Sequence, residues 1–439
     1  MGLFFGTDGL RGKVNEELTH DIAYKIGNAL SILKESPTII IGADTRISNT
    51  YLALALATGA MSGGANVIDI GVCPTAGVAY ITKEIKADYG IVISASHNSG
   101  EYNGIKVFDE NGYKLSDKEE EKIERCFIRS KVNPFPHIGR YTQDFNLTKL
   151  YKKFLIDSSE NSLEGMTIVL DGAYGAAHRI APDVFRKLGA NVIAANCNED
   201  GLKINEKCGA LYPENLAKRI ARYKADMGFA FDGDADRLIA VDENGGIVDG
   251  DKIICGLAKY FQKLGKLNKN MAVGTSHTNM AIEDELKKSG IELLRTDIGD
   301  KYVLAKLREM GLSLGGEQSG HIIIKDLATT GDGILTAITV ANMVKNEKTT
   351  LSKAFEIELY PQTNKNVVVH DKLRIMNNED LLREISKYNA ELEGKGRIMI
   401  RASGTEPKIR VMVESRDSVL NDKIANAMVN DIKRIDAEV

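Results

Sequence analysis

Cysteine is scarce in this chain of 439 residues, and its few cysteines follow no metal-binding spacing. They are odd in number, scattered, and include no Cys-x-x-Cys pair: Cys73, Cys126, Cys197, Cys208 and Cys255. A zinc site is therefore not expected. Free thiols in a reducing cytosol fit this pattern best.

The chain also lacks a strong net charge and a long apolar run. A net charge of −4 gives no reason to expect nucleic acid or an anionic membrane as a partner. The longest run of small and apolar residues, 51–61, is far too short to span a bilayer. The first residues are not a basic segment followed by an apolar one, as a secretory signal would be. We expect a cytoplasmic protein, either a monomer or a homodimer.

One pattern occurs three times: an apolar strand, a loop, a helix, a turn of small residues and a second apolar strand. Units of this size imply parallel strand pairing with right-handed crossovers. At ~150 residues per domain the length allows about three domains and a smaller fourth, which argues against the alternative of one large sheet. The units start at strands near 38–42, 166–170 and 271–274, continue through helices near 49–62, 176–188 and 279–288, and return at 64–68, 189–193 and 290–293.

The last part of the chain follows a different pattern. Strands are predicted near 367–369, 397–400 and 409–413, and an amphipathic helix over 418–436. We therefore predict an α/β protein with three related α/β domains and a smaller C-terminal α+β domain. The expected domains are 1–150, 151–250, 251–365 and 366–439, with linkers near 130–142, 244–251 and 358–366.

Ser96 lies in the run Ile-Ser-Ala-Ser-His-Asn (93–98), directly after an apolar stretch that is typical of a strand. A serine displayed at the end of a strand, beside His97 and Asn98, can act as a covalent nucleophile or a phosphate carrier. Ser96 and His97 are therefore candidate catalytic residues. Most neighbouring Ser-His pairs are ordinary turn residues, so this interpretation depends on other loops with complementary chemistry.

Asp232, Asp234 and Asp236 alternate after the apolar run 228–231. Near-extended backbone places alternate side chains on one side, and three converging carboxylates repel each other unless a hard cation neutralises them. Mg²⁺ suits such a site because it binds carboxylates together with a phosphate oxygen. An EF-hand loop and a solvated acidic turn are the alternatives. Arg237 stands where an EF-hand needs glycine, and beside a metal it would contact a phosphate.

A glycine-rich loop at 315–321 precedes the apolar run 322–324. Its glycines permit close approach of the backbone to a ligand. Glu317 and Ser319 alternate toward one side and can hold two adjacent hydroxyl groups of a sugar. The alternative is a β-hairpin turn with incidental polar residues.

The loop that begins at Arg401 has the composition of an anion site. It offers a guanidinium group, the hydroxyls of Ser403 and Thr405, and backbone N–H groups around Gly404. Arg410, on the following strand, adds a second guanidinium. A plain Ser-Gly-Thr hairpin is the alternative.

Two further cationic side chains can contribute to the same site. Arg11 lies between glycines in the loop 6–12 and can contact a phosphate. Lys106 follows the Ser96 loop closely enough to return to it. Lys106 can donate or accept a proton there if its pKa is lowered; the alternative is an ordinary surface lysine.

In this order the loops resemble the α-D-phosphohexomutase superfamily, and the resemblance covers essentially the whole chain. It implies four domains around a central cleft. It also implies that Ser96 carries a transferable phosphate and that Mg²⁺ is held by Asp232, Asp234, Asp236 and an oxygen of phosphorylated Ser96.

The resemblance also implies roles for the two later loops. The loop from Glu317 to His321 would recognise the sugar, and the loop from Arg401 to Thr405 would bind the phosphate that is not transferred. With Gln318, the sequence of this loop resembles one branch of the superfamily. Members of that branch interconvert glucosamine 6-phosphate and glucosamine 1-phosphate, in the synthesis of UDP-N-acetylglucosamine. The phosphomannomutase/phosphoglucomutase branch, which typically has Met there, is the alternative.

Two residues depart from the superfamily pattern. Ser99 stands where proline is common, and Ala235 where glycine is frequent. Neither removes a catalytic atom, although both can change loop stiffness. A serine-dependent phosphatase and a non-catalytic protein that binds sugar phosphates also stay open as functions.

Overall fold

The computed structural model describes residues 6, 8–129, 137–403 and 407–437. The chain forms two compact units. The larger consists of the described residues up to 278 together with 286–356, and the smaller of 279–285 together with those from 357 onward. In the described residues the strands form four sheets, three in the larger unit and one in the smaller.

The first sheet has six strands in the order β1-β5-β4-β2-β3-β6. Its central strands β2 and β4 are parallel and buried on both faces, which explains their nearly continuous apolar sequence. The strands are β1 (Leu10–Lys13), β2 (Thr38–Ala43), β3 (Asn66–Val72), β4 (Tyr89–Ile93), β5 (Tyr102–Phe108) and β6 (Tyr141–Gln143), and the helices are α1 (His20–Leu33), α2 (Asn49–Ser62), α3 (Thr75–Glu84) and α4 (Asp117–Arg129).

The second sheet has the order β11-β10-β9-β7-β8, with parallel strands at one side and an antiparallel hairpin at the other. Its strands are β7 (Thr167–Asp171), β8 (Asn191–Ala195), β9 (Met227–Phe231), β10 (Leu238–Asp242) and β11 (Ile247–Val248). The helices of this part of the chain are α5 (Thr148–Asp157), α6 (Ala177–Lys187) and α7 (Glu214–Tyr223).

The third sheet has the order β13-β12-β14-β15 and again ends in an antiparallel hairpin. Its strands are β12 (Met271–Thr275), β13 (Glu292–Thr296), β14 (Leu314–Gly316) and β15 (Ile322–Ile324). The helices that follow α7 are α8 (Gly250–Lys263), α9 (Met280–Lys288), α10 (Asp300–Met310), α11 (Gly333–Asn346) and α12 (Leu351–Ala354). Parallel pairing of β2 with β3, β7 with β8 and β12 with β13 confirms the three predicted repeats.

The smaller unit contains a three-stranded antiparallel sheet in the order β16-β18-β17. Its elements are β16 (Gln362–Val368), α13 (Lys372–Met376), α14 (Glu379–Glu391), β17 (Gly396–Ala402), β18 (Lys408–Ser415) and α15 (Ser418–Ala437). Ile424, Met428, Ile432 and Ile435 recur at helical spacing along α15 and join the buried core with strand residues. β16 starts five residues before the predicted strand, inside the stretch expected to be a linker. The sequence pattern missed this start because the first five residues of β16 are polar and half-buried or exposed.

The four sheets confirm the predicted fold class of three α/β domains and a smaller α+β domain. The domain boundaries at 150, 250 and 365 stay predictions. Across the described part of the chain, every helix falls short of the length and apolar character that crossing a membrane requires. Three of the candidate loops begin directly after strands of the larger unit: the Ser96 loop after β4, the Asp232 loop after β9 and the Glu317 loop after β14.

Candidate active site

Ser96 is completely buried and has a backbone φ of 50°, in the left-handed region. For a residue with a Cβ this conformation costs roughly 1–2 kcal/mol, so neighbouring groups must hold it. Its backbone N donates to Ser94 Oγ at 2.9 Å, and Ser94 Oγ donates to Asp44 Oδ2 at 2.5 Å. The loop is therefore fixed from its first residue.

Arg46 and Asn205 clamp the same loop from behind. Arg46 Nη2 donates to Ser96 O at 3.0 Å and to Asn98 O at 2.7 Å, and Asn205 Nδ2 donates to the same two oxygens at 2.8 and 3.0 Å. Arg46 Nε also donates to Asp44 Oδ2 at 2.9 Å, in an ion pair that is completely buried. Sequence reasoning missed both clamp residues, although Arg46 follows β2, the parallel neighbour of β4, and this position could have indicated its proximity to Ser96.

The Asp232 loop joins the antiparallel strands β9 and β10, so the EF-hand alternative, which needs flanking helices, is wrong. One ligand oxygen from each of Asp232, Asp234 and Asp236 lies within 4.8 Å of the others, and all three residues are buried. Ala235 has a φ of 58°, a conformation that glycine adopts more readily, which explains why glycine suits this position.

The structure brings Ser96 to this triad. Ser96 Oγ donates to Asp232 Oδ2 at 2.7 Å, across 136 residues of sequence. Burial and then the neighbouring carboxylates of Asp236 and Asp234 raise the pKa of Asp232 well above its usual value. The raised pKa of Asp232 reflects the free-energy cost of placing three carboxylates close together in a buried space.

The donor set of the triad fits a metal ion. Oδ1 of Asp234 and Oδ1 of Asp236 are buried, and neither makes a hydrogen bond within the described residues. Buried carboxylate oxygens without a donor are costly unless a cation is present. The buried triad can therefore bind a metal ion.

Lys106 contacts the other carboxylate oxygens of these two aspartates. Its Nζ lies 2.8 Å from Asp234 Oδ2, 3.1 Å from Asp236 Oδ2 and 3.2 Å from Asp8 Oδ2. Burial acts to lower the pKa of Lys106, but the three carboxylates raise it well above its usual value. The lowered pKa that proton transfer by Lys106 would require is therefore not found, and the surface-lysine alternative is wrong: Lys106 is a buried ammonium group.

His97 lies beside the serine, with Nδ1 3.3 Å from Ser96 Oγ. Burial and then the nearby guanidinium groups of Arg237 and Arg11 lower the pKa of His97 to about 3. The imidazole is therefore neutral at physiological pH, and one of its nitrogens can accept a proton.

Arg11 and Arg237 both face the acidic cluster. Arg11 donates to Asp8, and the Arg237 backbone N donates to Asp232 Oδ1 at 3.2 Å. Burial acts to lower the pKa of Arg237, while Asp232 and Asp236 raise it above its ordinary value. The Nε atoms of both arginines are buried without a hydrogen-bond partner among the described residues, which suits groups that bind a phosphate.

The Glu317 loop is the turn of the hairpin formed by β14 and β15. The β-hairpin turn predicted by the alternative interpretation is therefore confirmed. Glu317 Oε1 accepts from Gly299 N at 3.0 Å, and burial raises the pKa of this carboxyl. Ser319 is half-buried. The side chain of Gln318 hydrogen-bonds to Asp249.

His321 brings the Glu317 loop to the triad. Its buried Nε2 lies 3.9 Å from Asp236 Oδ2 and 3.6 Å from Asp300 Oδ2, and an isolated β-bridge pairs His321 with Arg237. Neither ring nitrogen makes a hydrogen bond to a described residue. Both nitrogens are therefore buried polar atoms without a hydrogen bond among the described residues.

Asp8, Lys114 and Asp300 complete the charged cluster, and sequence reasoning missed all three. Lys114 bridges the carboxylates of Asp8 and Asp300. Burial acts to raise the pKa of Asp8, but Lys106, Lys114 and Arg11 hold it well below its usual value. Asp8 lies in the same loop 6–12 as Arg11, and this position could have indicated that it belongs to the site. Lys114 and Asp300 belong to no recognisable motif.

The remaining candidates lie in the smaller unit. Arg401 on β17 is directly opposite Arg410 on β18, so both side chains are on one face of the sheet. Burial and then Arg410 lower the pKa of Arg401, a pairing of like charges that an anion would stabilise. Ser403 is buried, and its carbonyl oxygen accepts from Lys372 Nζ at 2.7 Å. Gly404 and Thr405 lie outside the described residues.

Models of one protein family match nearly the whole chain. They are described as phosphoglucomutase/phosphomannomutase α/β/α domain I, matching residues 2–133, domain II, matching 146–246, domain III, matching 249–360, and the C-terminal domain, matching 365–431.

Curated relatives match along the full length. The chain is 46% identical to phosphoglucosamine mutase of Caldanaerobacter subterraneus subsp. tengcongensis, covering 99% of each chain, and 43% identical to that of Clostridium acetobutylicum, also covering 99% of each. Among solved structures, it is similar to a phosphoglucomutase/phosphomannomutase family protein from Burkholderia thailandensis (TM-score 0.83, 22% identity, 97% of each chain). It is also similar to Aspergillus fumigatus N-acetylphosphoglucosamine mutase in complex with GlcNAc-6P and magnesium (TM-score 0.68, 17% identity, 99% of this chain and 96% of that one).

The clamp behind Ser96 predicts a large stability effect. Arg46→Met removes the ion-pair partner of the buried Asp44 carboxylate and one of the two donors to the carbonyl oxygens of Ser96 and Asn98, which should lower the free energy of unfolding by about 3–5 kcal/mol. Arg125→Met is the control, because Arg125 is 71% exposed. Urea denaturation followed by circular dichroism measures both, and equal midpoints would contradict the role of the clamp.

Proposed function

We propose that this chain, which belongs to the phosphoglucomutase/phosphomannomutase family, interconverts glucosamine 6-phosphate and glucosamine 1-phosphate. Its relatives are intramolecular phosphotransferases of the phosphohexomutase type. The observation that carries the proposal is the contact of Ser96 Oγ with Asp232, 2.7 Å away, in a buried triad that can bind a metal ion.

The choice of the amino sugar rests on the curated relatives. Those at 42–46% identity over nearly the full chain are phosphoglucosamine mutases. The loop Glu317-Gln318-Ser319-Gly320 agrees with that branch, and the phosphomannomutase/phosphoglucomutase alternative is not favoured.

The reaction starts with a phosphoryl group on Ser96. That group leaves Ser96 Oγ for the free hydroxyl of the sugar phosphate, and the hydroxyl proton passes to a base of the site. The position of His97 supports this role, since its Nδ1 lies 3.3 Å from Ser96 Oγ; with a pKa of about 3 it would hold the proton only briefly before returning it. The sugar bisphosphate turns around, its other phosphoryl group returns to Ser96, and the isomeric monophosphate leaves with the proton restored.

Most of the catalysis comes from positioned charge, because phosphoryl transfer requires little covalent work from the protein. Lys106, Arg11 and Arg237 supply fixed positive charge beside Ser96. Phosphorylation adds ≈ −1.5 to −2 charge at pH 7 to a cluster that is already anionic. The carboxylates outnumber the cations: Asp8, Asp232, Asp234, Asp236, Asp300 and Glu317 stand against Arg11, Lys106, Lys114 and Arg237.

We assign Mg²⁺ to this cluster, held by Asp232, Asp234, Asp236 and an oxygen of phosphorylated Ser96. Mg²⁺ supplies positive charge that offsets the negative charge on the phosphoryl oxygens when it is bound. Its preference for carboxylate and phosphate oxygens supports the assignment, as do the two donor-free oxygens of the triad.

The ligand-binding residues follow from the same proposal. Glu317, Ser319 and His321 bind the sugar, and the loop from Arg401 to Thr405 together with Arg410 binds the phosphate that is not transferred. Backbone N–H groups around Gly404 and the hydroxyl of Ser403 add donors to that loop.

We further propose a cytoplasmic enzyme of UDP-N-acetylglucosamine synthesis that uses hexosamine phosphates. It has neither nucleic acid nor membrane as a partner and is a monomer or homodimer. The domains 1–150, 151–250, 251–365 and 366–439 are proposed to carry the phosphoserine, metal, sugar and phosphate loops in turn.

Ser96→Ala should abolish nearly all isomerisation and leave the fold intact, because a small loop side chain contributes little to packing. Intact-protein mass spectrometry should find one phosphate on the active unmodified chain and none on the variant. Ser99→Ala, in the same loop but exposed, is the control and should stay active. Full activity of a chain that carries no phosphate on Ser96 would contradict the proposal.

Asp234→Asn should weaken Mg²⁺ binding by roughly tenfold or more, because one anionic ligand becomes neutral. Isothermal titration calorimetry measures the affinity, and Asp183→Asn, at a half-exposed surface ion pair, is the control. Chelation should stop isomerisation and added Mg²⁺ should restore it. Undiminished activity after thorough chelation would rule out the metal site.

The unmodified chain should have a higher kcat/KM for glucosamine 6-phosphate than for glucose or mannose 6-phosphate. Gln318→Met should narrow that gap by roughly a few-fold to tenfold, because it removes a polar group and the hydrogen bond to Asp249. Gln143→Met, at an exposed strand, is the control. A preference of the unmodified chain for glucose or mannose phosphate would place it in the other branch with the chemistry at Ser96 unchanged.

A further inference from the structure

The carboxylate oxygens of the metal triad fall into two sets. Asp234 Oδ2 accepts from Thr75 Oγ1 at 2.6 Å and from Lys106 Nζ at 2.8 Å, whereas Asp234 Oδ1 is buried and has no hydrogen-bond donor within the described residues. Asp236 shows the same division, with Lys106 at Oδ2 and no donor at Oδ1. In Asp234 and Asp236 the donors among the described residues therefore all contact Oδ2, and the two Oδ1 atoms are left for a cation.

Thr75 holds Asp234 at two points. It is the first residue of α3 and completely buried, and its backbone N donates to Asp234 O at 3.0 Å while its hydroxyl donates to Oδ2. One contact fixes the main chain of Asp234 and the other fixes the rotation of its carboxylate. Rotation of the carboxylate would break the hydroxyl bond in a place that water does not reach.

Lys106 does not fix the rotation of the Asp234 carboxylate as Thr75 does. Its Nζ lies within 3.2 Å of three carboxylates, those of Asp8, Asp234 and Asp236, so it supplies charge to all of them. The Thr75 hydroxyl, in contrast, has a single hydrogen to donate, and it donates it to Asp234 Oδ2. A directional donor with one acceptor orients a carboxylate, which a shared ammonium group does not.

We propose that Thr75 is a positioning residue that turns Asp234 so that its Oδ1 faces the bound divalent cation. The inference rests on the proposed function, since it requires the triad to bind Mg²⁺. Thr75 acts through Asp234 and extends the metal site to α3, 159 residues away in sequence.

Three variants test the proposal. Thr75→Val keeps the shape and removes the donor, and Thr75→Ser keeps the donor. Thr82→Val is the matched control, because Thr82 is equally buried in the same helix and its hydroxyl donates to Val78 O at 2.8 Å. Calorimetric titration with Mg²⁺ alone should give an affinity that is 10–100-fold weaker for Thr75→Val. Thr75→Ser and Thr82→Val should bind close to the unmodified chain.

Several outcomes would overturn the proposal. The proposal is wrong if Thr75→Val binds Mg²⁺ as tightly as the unmodified chain, or if Thr75→Ser binds it as weakly as Thr75→Val. Circular dichroism shows whether each variant is folded, and Thr75→Ala replaces Thr75→Val if the latter is not. If the unmodified chain itself binds no Mg²⁺, the metal site fails and this inference with it, whereas equal binding by Thr75→Val and the unmodified chain defeats the role of Thr75 alone.

A kinetic readout separates positioning from a merely structural role. If Thr75 orients the metal ligand, the Mg²⁺ concentration for half-maximal isomerisation should rise in Thr75→Val, and kcat should largely recover at saturating Mg²⁺. A loss of kcat that is the same at every Mg²⁺ concentration would contradict the proposal.

Discussion

The mutual repulsion of three buried carboxylates is the constraint on which the rest of this site depends. Asp232, Asp234 and Asp236 follow a strand whose residues are all buried, so their charges cannot be relieved by water. Lys106 contacts Oδ2 of Asp234 and of Asp236, and among the described residues the Oδ1 atoms of both have no donor. In the proposed function, a cation at this place offsets the charge of the carboxylates and of a phosphate on Ser96 together.

The strained backbone conformation of Ser96 is the second constraint on the site. Its φ of 50° aims Oγ at Asp232, and the clamp of Arg46 and Asn205 holds the loop through the carbonyl oxygens of Ser96 and Asn98. The two clamp residues come from different parts of the chain, so the position of the serine relative to the metal loop depends on contacts between the first two sheets. A rigid serine loop suits phosphoryl transfer, in which positioning supplies much of the rate.

The sequence was sufficient for the parts of the site that local patterns encode. Alternation after a buried strand identified the aspartate triad, and the strand–helix–strand repeats identified the three α/β sheets. Arg46, Thr75, Lys114 and Asn205 escaped detection because each acts on residues that are distant in sequence, and a single arginine, threonine, lysine or asparagine carries no pattern. The direction of the pKa shift of Lys106 could not be predicted from the sequence, since it depends on carboxylates that only the fold brings within 3.2 Å.

The central claim is that Ser96 passes its phosphoryl group to the sugar and takes one back within this charged cluster. Rapid mixing of the chain labelled with ³²P on Ser96 with glucosamine 6-phosphate, followed through a single turnover, tests it most directly. The account predicts that the label leaves Ser96 and appears in glucosamine 1,6-bisphosphate and then in the monophosphates. Release of the label as inorganic phosphate, or its retention on Ser96 while isomerisation proceeds, would contradict it.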